Sequence, residues 1–167
     1  MRGYNGSNTP ERIRNLWRTP QPIYDNLDRK YHFVGDVAAS ADNHLHENYL
    51  TEQEDALTVD WSKRFGTGFK WCNPPYDNIG PWIEKAASES STVMLVPSDT
   101  SVRWAKRAYD TASEIQLVCG RIAFTRADTG EPQGGNNKGS MIIVWNPLHE
   151  GPCNVTMIDR YELMTIH

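Results

Sequence analysis

The apolar positions of the 167-residue chain recur with two different spacings. Ile23, Leu27 and Tyr31 recur at helical spacing, which predicts a helix over 20–31. The unbroken apolar run over 92–97 is instead typical of a strand that is buried on both faces. The same patterns predict further strands over 33–38, 47–51, 69–73, 114–119 and 141–145, and further helices over 80–88 and 101–112.

Strands and helices therefore alternate through the middle of the chain. This order predicts an α/β fold, with a mostly parallel sheet that carries helices on both faces. In such sheets ligands bind at the carboxyl ends of the strands. Two loops fall at predicted carboxyl ends, 36–40 and 73–76, and we expect them to lie close together.

Composition and cysteine content set the class of protein. The chain is 38% hydrophobic and 23% charged, and no apolar run is long enough to cross a membrane. Its three cysteines are widely spaced, which suits a reducing cytosol. We therefore expect one cytoplasmic domain spanning 1–167, without a membrane partner and without a separate target-recognition domain.

Charge is unevenly distributed along the chain. The net charge is −4, which argues mildly against a nucleic-acid partner. However, residues 36–60 contain seven acidic residues and neither Lys nor Arg, whereas basic residues collect over 2–18 and again over 103–138. An acidic side suits a cationic cofactor and a basic side suits a polyanion. Two ordinary solvated faces would explain the same distribution.

The loop Asn73-Pro74-Pro75-Tyr76 carries the most specific chemistry. Two prolines end the preceding strand and stiffen the backbone. The Asn73 side-chain oxygen and the Pro74 carbonyl could accept the two hydrogens of an exocyclic amine such as adenine N6, while Tyr76 stacks on the base. A simple proline turn after a strand remains the alternative.

A second loop, Asp36-Val37-Ala38-Ala39-Ser40, leaves its strand through small side chains. Small residues let a ligand approach the backbone, and an acid there can bind an amino or hydroxyl group. Because the loop lacks the glycines that cradle phosphate, S-adenosylmethionine fits better than a nucleotide. The alternative is a helix start that is capped by Asp or Ser.

Two other polar segments have weaker signals. His44 and His46 lack further ligands at a metal-binding spacing, so we expect no metal. The glycine-rich segment 125–140 could contact DNA or close over a substrate, and a flexible surface hairpin loop is an equal alternative.

Five short segments, in this order, resemble the phage-type DNA N6-adenine methyltransferases, the Dam-like family of phages and prophages. They are Thr19-Pro20-Gln21, 36–40 with Asn43, Asp55-Ala56-Leu57 with Trp61, 72–76 and 120–124. The resemblance implies a Rossmann-like, S-adenosylmethionine-dependent methyltransferase fold. It also implies methyl transfer to the N6 amine of an adenine that is flipped out of double-stranded DNA.

The resemblance implies roles for individual residues. The catalytic loop would be Asn73, Pro74, Pro75 and Tyr76. The cofactor pocket would be formed by Thr19, Pro20, Asp36, Val37, Ala38, Asn43, Asp55, Ala56 and Leu57. The candidates for DNA contact are Arg103, Arg121, Arg126 and Lys138.

Two departures from the family pattern leave alternatives open. Ala38 and Ala39 stand where methyltransferases usually carry a glycine-containing motif, and only Glu47 and Glu52 are candidate partners for the cofactor ribose. RNA adenine or a protein glutamine amide could be the substrate instead. A non-catalytic binder of nucleic acid or S-adenosylmethionine, and either a monomer or a homodimer, also remain open.

Overall fold

A seven-stranded sheet organises the chain. The computed structural model describes residues 17–131 and 138–165. The strands of the sheet are β2 (Gly35–Ala39), β3 (Tyr49–Thr51), β4 (Lys70–Cys72), β5 (Thr92–Pro97), β6 (Glu114–Cys119), β8 (Ser140–Trp145) and β9 (Asn154–Asp159). Two further strands, β1 (Trp17–Arg18) and β7 (Thr125–Arg126), pair with each other as a separate antiparallel ribbon.

The strand order in the sheet is β3-β2-β4-β5-β8-β6-β9. Every neighbouring pair is parallel except the two that involve β8, which runs antiparallel to both β5 and β6. The prediction of a mostly parallel sheet is therefore confirmed. From β2 the chain passes first to β3 on one side and then to β4 on the other, so the winding direction reverses between β2 and β4.

Helices cover both faces of this sheet. They are α1 (Gln21–Tyr31), α2 (Trp61–Phe65), α3 (Gly80–Glu89), α4 (Arg103–Thr111) and α5 (Arg160–Met164), and a short 3-10 turn spans Glu52–Glu54. Helices α1 and α5 pack on one face, and α2, α3 and α4 pack on the other. The molecule is thus a three-layer α/β structure with two hydrophobic cores.

Strand β5 shows why the chain forms two cores. Its side chains alternate, so that Val93 and Leu95 join the core under α1, while Met94 and Val96 join the core under α3 and α4. All four side chains are fully buried. Because both faces of the strand are covered, its sequence is continuously apolar rather than alternating.

The structure also contains elements that the hydrophobic pattern does not predict. These are the ribbon of β1 and β7, the short helix α2, and the carboxyl-terminal pair β9 and α5. The predicted elements agree with those observed to within two residues at each end, and the strands over 92–97 and 114–119 match at both ends. Part of the glycine-rich segment predicted over 125–140, residues 132–137, lies outside the described residues.

Within residues 17–131 and 138–165, no helix combines the length and apolar composition that a membrane crossing requires.

The close packing of Gly35 against Phe65 allows the fold to be tested by substitution. A Cβ atom at Gly35 would lie 2.4 Å from Cδ1 of Phe65, at the end of α2. We expect Gly35→Ala to destabilise the protein by about 1–3 kcal/mol, because the ring must move. This corresponds to a fall of about 3–10 °C in the thermal midpoint, measurable by calorimetry.

Gly80→Ala is the matched control for this substitution. A Cβ atom at Gly80 meets nothing within 4 Å, so the midpoint should stay within about 2 °C of the wild type. Equal midpoints for the two variants would contradict the packing of α2 against β2.

Candidate active site at the carboxyl edge of the sheet

The carboxyl ends of the parallel strands β2, β3, β4 and β5 lie at one edge of the sheet. The loops that follow β2 and β4 flank the point where the winding direction reverses. In open α/β sheets this point is the usual ligand crevice. The fold therefore brings the two segments predicted to carry the chemistry, 36–40 and 73–76, to the same edge of the sheet. The prediction of a loop over 36–40 is wrong, because residues 36–39 form most of β2 itself.

Two side-chain hydrogen bonds join this edge to the ribbon. The Asn73 amide Nδ2 donates to Thr19 Oγ1 at 3.3 Å, and the Asn43 amide Nδ2 donates to the Trp17 carbonyl at 3.0 Å. Thr19 and Pro20 are buried, directly between the ribbon and α1. The segment 17–20 thus lies against the loops after β2 and β4.

Asn73 directly follows β4, and the two ends of its side-chain amide differ in hydrogen bonding. Nδ2 is bonded to Thr19, whereas Oδ1 is buried and has no hydrogen-bond partner. Buried polar atoms without a partner are rare, because an unpaired acceptor away from water costs about 1–3 kcal/mol. Asn73 Oδ1 can therefore accept a hydrogen bond from a donor that is not part of the described chain.

Tyr76 is held at both ends of its side chain. Its hydroxyl donates to the Leu95 carbonyl at 3.3 Å, and its ring lies edge-on to Phe124, with the centroids 6.3 Å apart. Between Asn73 and Tyr76, Pro74 is buried and Pro75 is exposed. Within the described residues the Pro74 carbonyl accepts no hydrogen bond. Pro74 directly follows Asn73, so the loop offers a second acceptor besides Asn73 Oδ1.

Asp36 is the buried acid of the crevice, with 3% of its surface exposed. One carboxylate oxygen accepts from the Leu45 N–H at 3.0 Å and the other from the Ala38 N–H at 3.3 Å. Burial raises the pKa of Asp36 to about 6, although both backbone hydrogen bonds and the nearby His44 and His46 oppose that rise. A cation bound beside Asp36 would stabilise its charged form.

The turn after β2 is short and polar. Ser40 and Asn43 exchange backbone hydrogen bonds at 3.0 and 3.2 Å, and Asn43 also bonds the ribbon. Ala38, Ala39 and Ser40 are half-buried. Their small side chains leave the backbone after Asp36 open to a ligand.

The segment Asp55-Ala56-Leu57 follows β3 and its 3-10 turn at the same edge. Asp55 is exposed and has a left-handed backbone conformation, with φ 52°. Ala56 is buried, and its carbonyl accepts from Trp61 Nε1 at 2.9 Å. Leu57 packs on the core shared with Ala38 and Tyr76. A buried tryptophan therefore fixes the position of this segment.

The four candidate DNA contacts lie on different elements: Arg103 begins α4, Arg121 follows β6, Arg126 ends β7 and Lys138 precedes β8. Arg126 is paired with Asp128, with N–O distances of 2.9 and 2.6 Å, and Lys138 Nζ lies 2.8 Å from Asp99 Oδ2. The hydrogen bonds from Lys138 and Ser101 hold the pKa of Asp99 well below its usual range. Two of the four cations are thus already neutralised locally.

The other two cations lie on exposed parts of the chain. Arg103 is exposed at the start of α4 and has no ion-pair partner among the described residues, and Arg121 is exposed just beyond β6.

The histidines of the loop after β2 take part in local contacts. His44 Nδ1 lies 3.0 Å from the His46 carbonyl, and His46 Nδ1 accepts from the Asn48 N–H at 2.9 Å. The His44 ring stacks on Tyr49, with the centroids 4.1 Å apart. The described part of the chain contains no group of three or more His, Cys, Asp and Glu side chains that could hold a metal ion.

Trp17 is a further candidate site residue, to which the sequence pattern gives no role. Its indole Nε1 is buried and unpaired, and within the described residues it shares this condition only with Asn73 Oδ1. In the sequence, a role for Trp17 in the site was indicated only by its position two residues before Thr19. A donor and an acceptor without partners therefore both lie on segments that meet at Thr19.

Comparison with known proteins agrees with this geometry. The DNA N-6-adenine-methyltransferase (Dam) family matches residues 6–166. The DNA N-6-adenine-methyltransferase of Escherichia phage T1 is 32% identical over 175 residues, covering 93% of this chain and 72% of the relative. The DNA N-6-adenine-methyltransferase of Haemophilus phage HP1 (strain HP1c1) is 32% identical over 149 residues, covering 84% of each chain.

No solved structure matches the chain. The family match, by contrast, extends over nearly the whole sequence and includes every loop of the crevice. The chain therefore belongs to the DNA N-6-adenine-methyltransferase (Dam) family and is an enzyme that methylates adenine at N6 in DNA.

Proposed function

We propose that this enzyme transfers the methyl group of S-adenosylmethionine to N6 of an adenine flipped out of double-stranded DNA into the crevice between β2 and β4. The observation that carries the proposal is the buried and unpaired acceptor Asn73 Oδ1. An exocyclic amine supplies the missing donor. Because the amine is not accessible within stacked DNA, the base has to leave the helix.

Asn73, Pro74 and Tyr76 act on the amine together. The adenine nitrogen is a poor nucleophile, since its lone pair is delocalised into the ring. Asn73 Oδ1 and the Pro74 carbonyl accept its two hydrogens, which favours tetrahedral geometry and stabilises the positive charge that develops on nitrogen. Tyr76 stacks on the base and holds its plane, because its hydroxyl is anchored on Leu95.

The carboxyl-terminal half of β2 and the turn after it fit a cofactor with a cationic amino group. Asp36 is a buried carboxylate whose pKa is raised by burial, and a cationic group bound beside it would lower that pKa. Small residues follow it, and no phosphate-binding glycine loop is present in the sequence. S-adenosylmethionine, when bound, supplies a methyl group on a positively charged sulfur.

The rest of the cofactor pocket is assigned by position. Asn43 lies on the Asp36 side of the crevice, and Asp55 to Leu57 lie at the end of β3 beside it. Asp55 is exposed and could accept from the cofactor's adenine amine, while the half-buried Leu57 could pack on that ring. We assign Pro20 and Val37 to the inner wall of the pocket, since both are buried.

The overall architecture supports a Rossmann-like methyltransferase fold. The parallel strands β3-β2-β4-β5 are wound in two directions from β2, and helices cover both faces. The antiparallel β8 inserts between β5 and β6. We propose that the DNA approaches this edge, where Arg103, Arg121, Arg126 and Lys138 could reach phosphates.

A fluorescent base analogue tests base flipping directly. The methylated sequence is first found by mapping N6-methyladenine in plasmid DNA after incubation with enzyme and S-adenosylmethionine. A duplex is then made with 2-aminopurine at the target adenine. We expect its fluorescence to rise severalfold on binding, because the base loses its stacking neighbours. A duplex with 2-aminopurine two positions away is the control.

The opposite result has a clear meaning. Methylation of unmodified duplex without any fluorescence change at the target would contradict flipping. Absence of N6-methyladenine from all DNA offered would contradict the proposed reaction itself.

A further inference from the structure

Thr19 is placed where no contact with DNA is available to it. Its side chain is 1% exposed, and its hydroxyl accepts a hydrogen bond from Asn73 Nδ2 at 3.3 Å, across 54 positions of sequence. Among the described residues, Thr19 is the hydrogen-bond partner of the Asn73 side chain, since Nδ2 bonds Thr19 and Oδ1 has no partner. Thr19 is therefore in contact with the donor end of the Asn73 amide.

Orientation matters because the two ends of an amide have opposite hydrogen-bonding character. Oδ1 accepts and Nδ2 donates, although the two groups have nearly the same shape. An adenine amine presents two donors, so it is held only when Oδ1 faces the crevice. A rotated amide would place its own N–H groups against those of the base.

We propose that Thr19 is a positioning residue for methyl transfer: its hydroxyl accepts from Asn73 Nδ2 and so keeps Asn73 Oδ1 directed at the target amine. This inference rests on the proposed function. It differs from a cofactor-binding role, because the hydroxyl acts through Asn73. It also explains why a buried acceptor can stay unpaired in the absence of substrate, since the other end of the amide is already bonded.

Thr19→Val removes the hydroxyl and keeps the shape of the side chain. We expect kcat for DNA methylation to fall about tenfold to a hundredfold, because Asn73 Nδ2 then lacks an acceptor in its productive orientation. The dissociation constant for S-adenosylmethionine, measured by calorimetry, should change by less than about threefold. Thr19→Ser keeps the hydroxyl and should retain most of kcat.

A double-mutant cycle with Asn73→Asp separates orientation from other effects. A carboxylate has two equivalent acceptor oxygens and needs no particular rotation. Its contact with Thr19 is also preserved, because a hydroxyl can donate as well as accept. In the Asn73→Asp background we therefore expect Thr19→Val to lower kcat by less than about threefold.

Three results would overturn the inference. They are an equal loss of kcat from Thr19→Val in both backgrounds, a weakening of S-adenosylmethionine binding that matches the loss of kcat, and an inactive Asn73→Asp enzyme. Failure of the proposed function looks different. In that case Asn73→Ala would retain activity, or the wild-type enzyme would not methylate DNA, whatever residue stands at position 19.

Discussion

Asn73→Ala is expected to lower kcat for DNA adenine methylation by about a hundredfold to a thousandfold. The substitution removes Oδ1, which is the buried acceptor without a partner at the end of β4. Acceptor contacts that strengthen as charge develops on nitrogen act on the transition state more than on the bound base. The change should therefore appear in kcat, with a smaller change in KM for DNA. N6-methyladenine is measured by nucleoside mass spectrometry.

Asn78→Ala is the matched control for this result. Asn78 lies in the same connection between β4 and α3, but it is exposed, and its backbone N–H donates to the Pro75 carbonyl. Its side chain can be removed without changing Asn73, Pro74 or Tyr76, so kcat should stay within about twofold. Full activity of Asn73→Ala, or an equal loss in Asn78→Ala, would remove Asn73 from the reaction.

Asp36→Asn is expected to weaken S-adenosylmethionine binding by about tenfold to a hundredfold at pH 7.5, because a charge-assisted hydrogen bond to the cofactor's amino group is lost. In the wild type, affinity should also fall as the pH drops below about 6, where Asp36 takes up a proton. That fall should be absent from the variant. Calorimetric titration between pH 5 and 8 measures both effects.

The stability of the free enzyme should follow the opposite pH trend. The pKa of Asp36 rises from 3.8 in the unfolded chain to about 6 in the folded protein, so folding favours the neutral acid. Its contribution to stability is fully present below about pH 3.8 and is lost as the pH rises through about 6. Between pH 7 and 5, the wild type should gain about 1 kcal/mol relative to Asp36→Asn.

Asp42→Asn is the control for both measurements. Asp42 is an exposed acid in the same loop, and its removal changes the net charge by the same amount. Its cofactor affinity should follow the wild-type pH profile. If Asp42→Asn and Asp36→Asn weaken binding equally, the effect is one of overall charge rather than of a specific contact.

Part of the fold was evident in the local pattern of side chains. The helix over 20–31 and the strand over 92–97 were predicted because their apolar spacing matches the faces that they bury. The same pattern could not show that β8 lies between β5 and β6. Its continuous apolar sequence requires burial on both faces, but several neighbours would satisfy that requirement equally.

Other elements left little local signal. Strands β1 and β7 have two residues each, and they pair residues more than one hundred positions apart, such as Arg18 with Thr125. Strand β9 is an edge strand whose residues are mostly exposed, so its sequence shows no buried stripe. Such elements depend on partners far away in the chain, and local periodicity does not encode those partners.

By itself, the sequence determined the chemistry of each loop. Proline geometry after a strand, an amide beside a ring, and an acid followed by small residues are all local properties of 36–40 and 73–76. The tertiary structure decided which of these groups meet. The ribbon carries Thr19 to Asn73 and Trp17 to Asn43, and the parallel sheet sets Asp36 and Asn73 on two neighbouring strands. The Asn73 amide is bonded to Thr19, which lies 54 residues away in the sequence. Only long-range packing brings these two residues into contact.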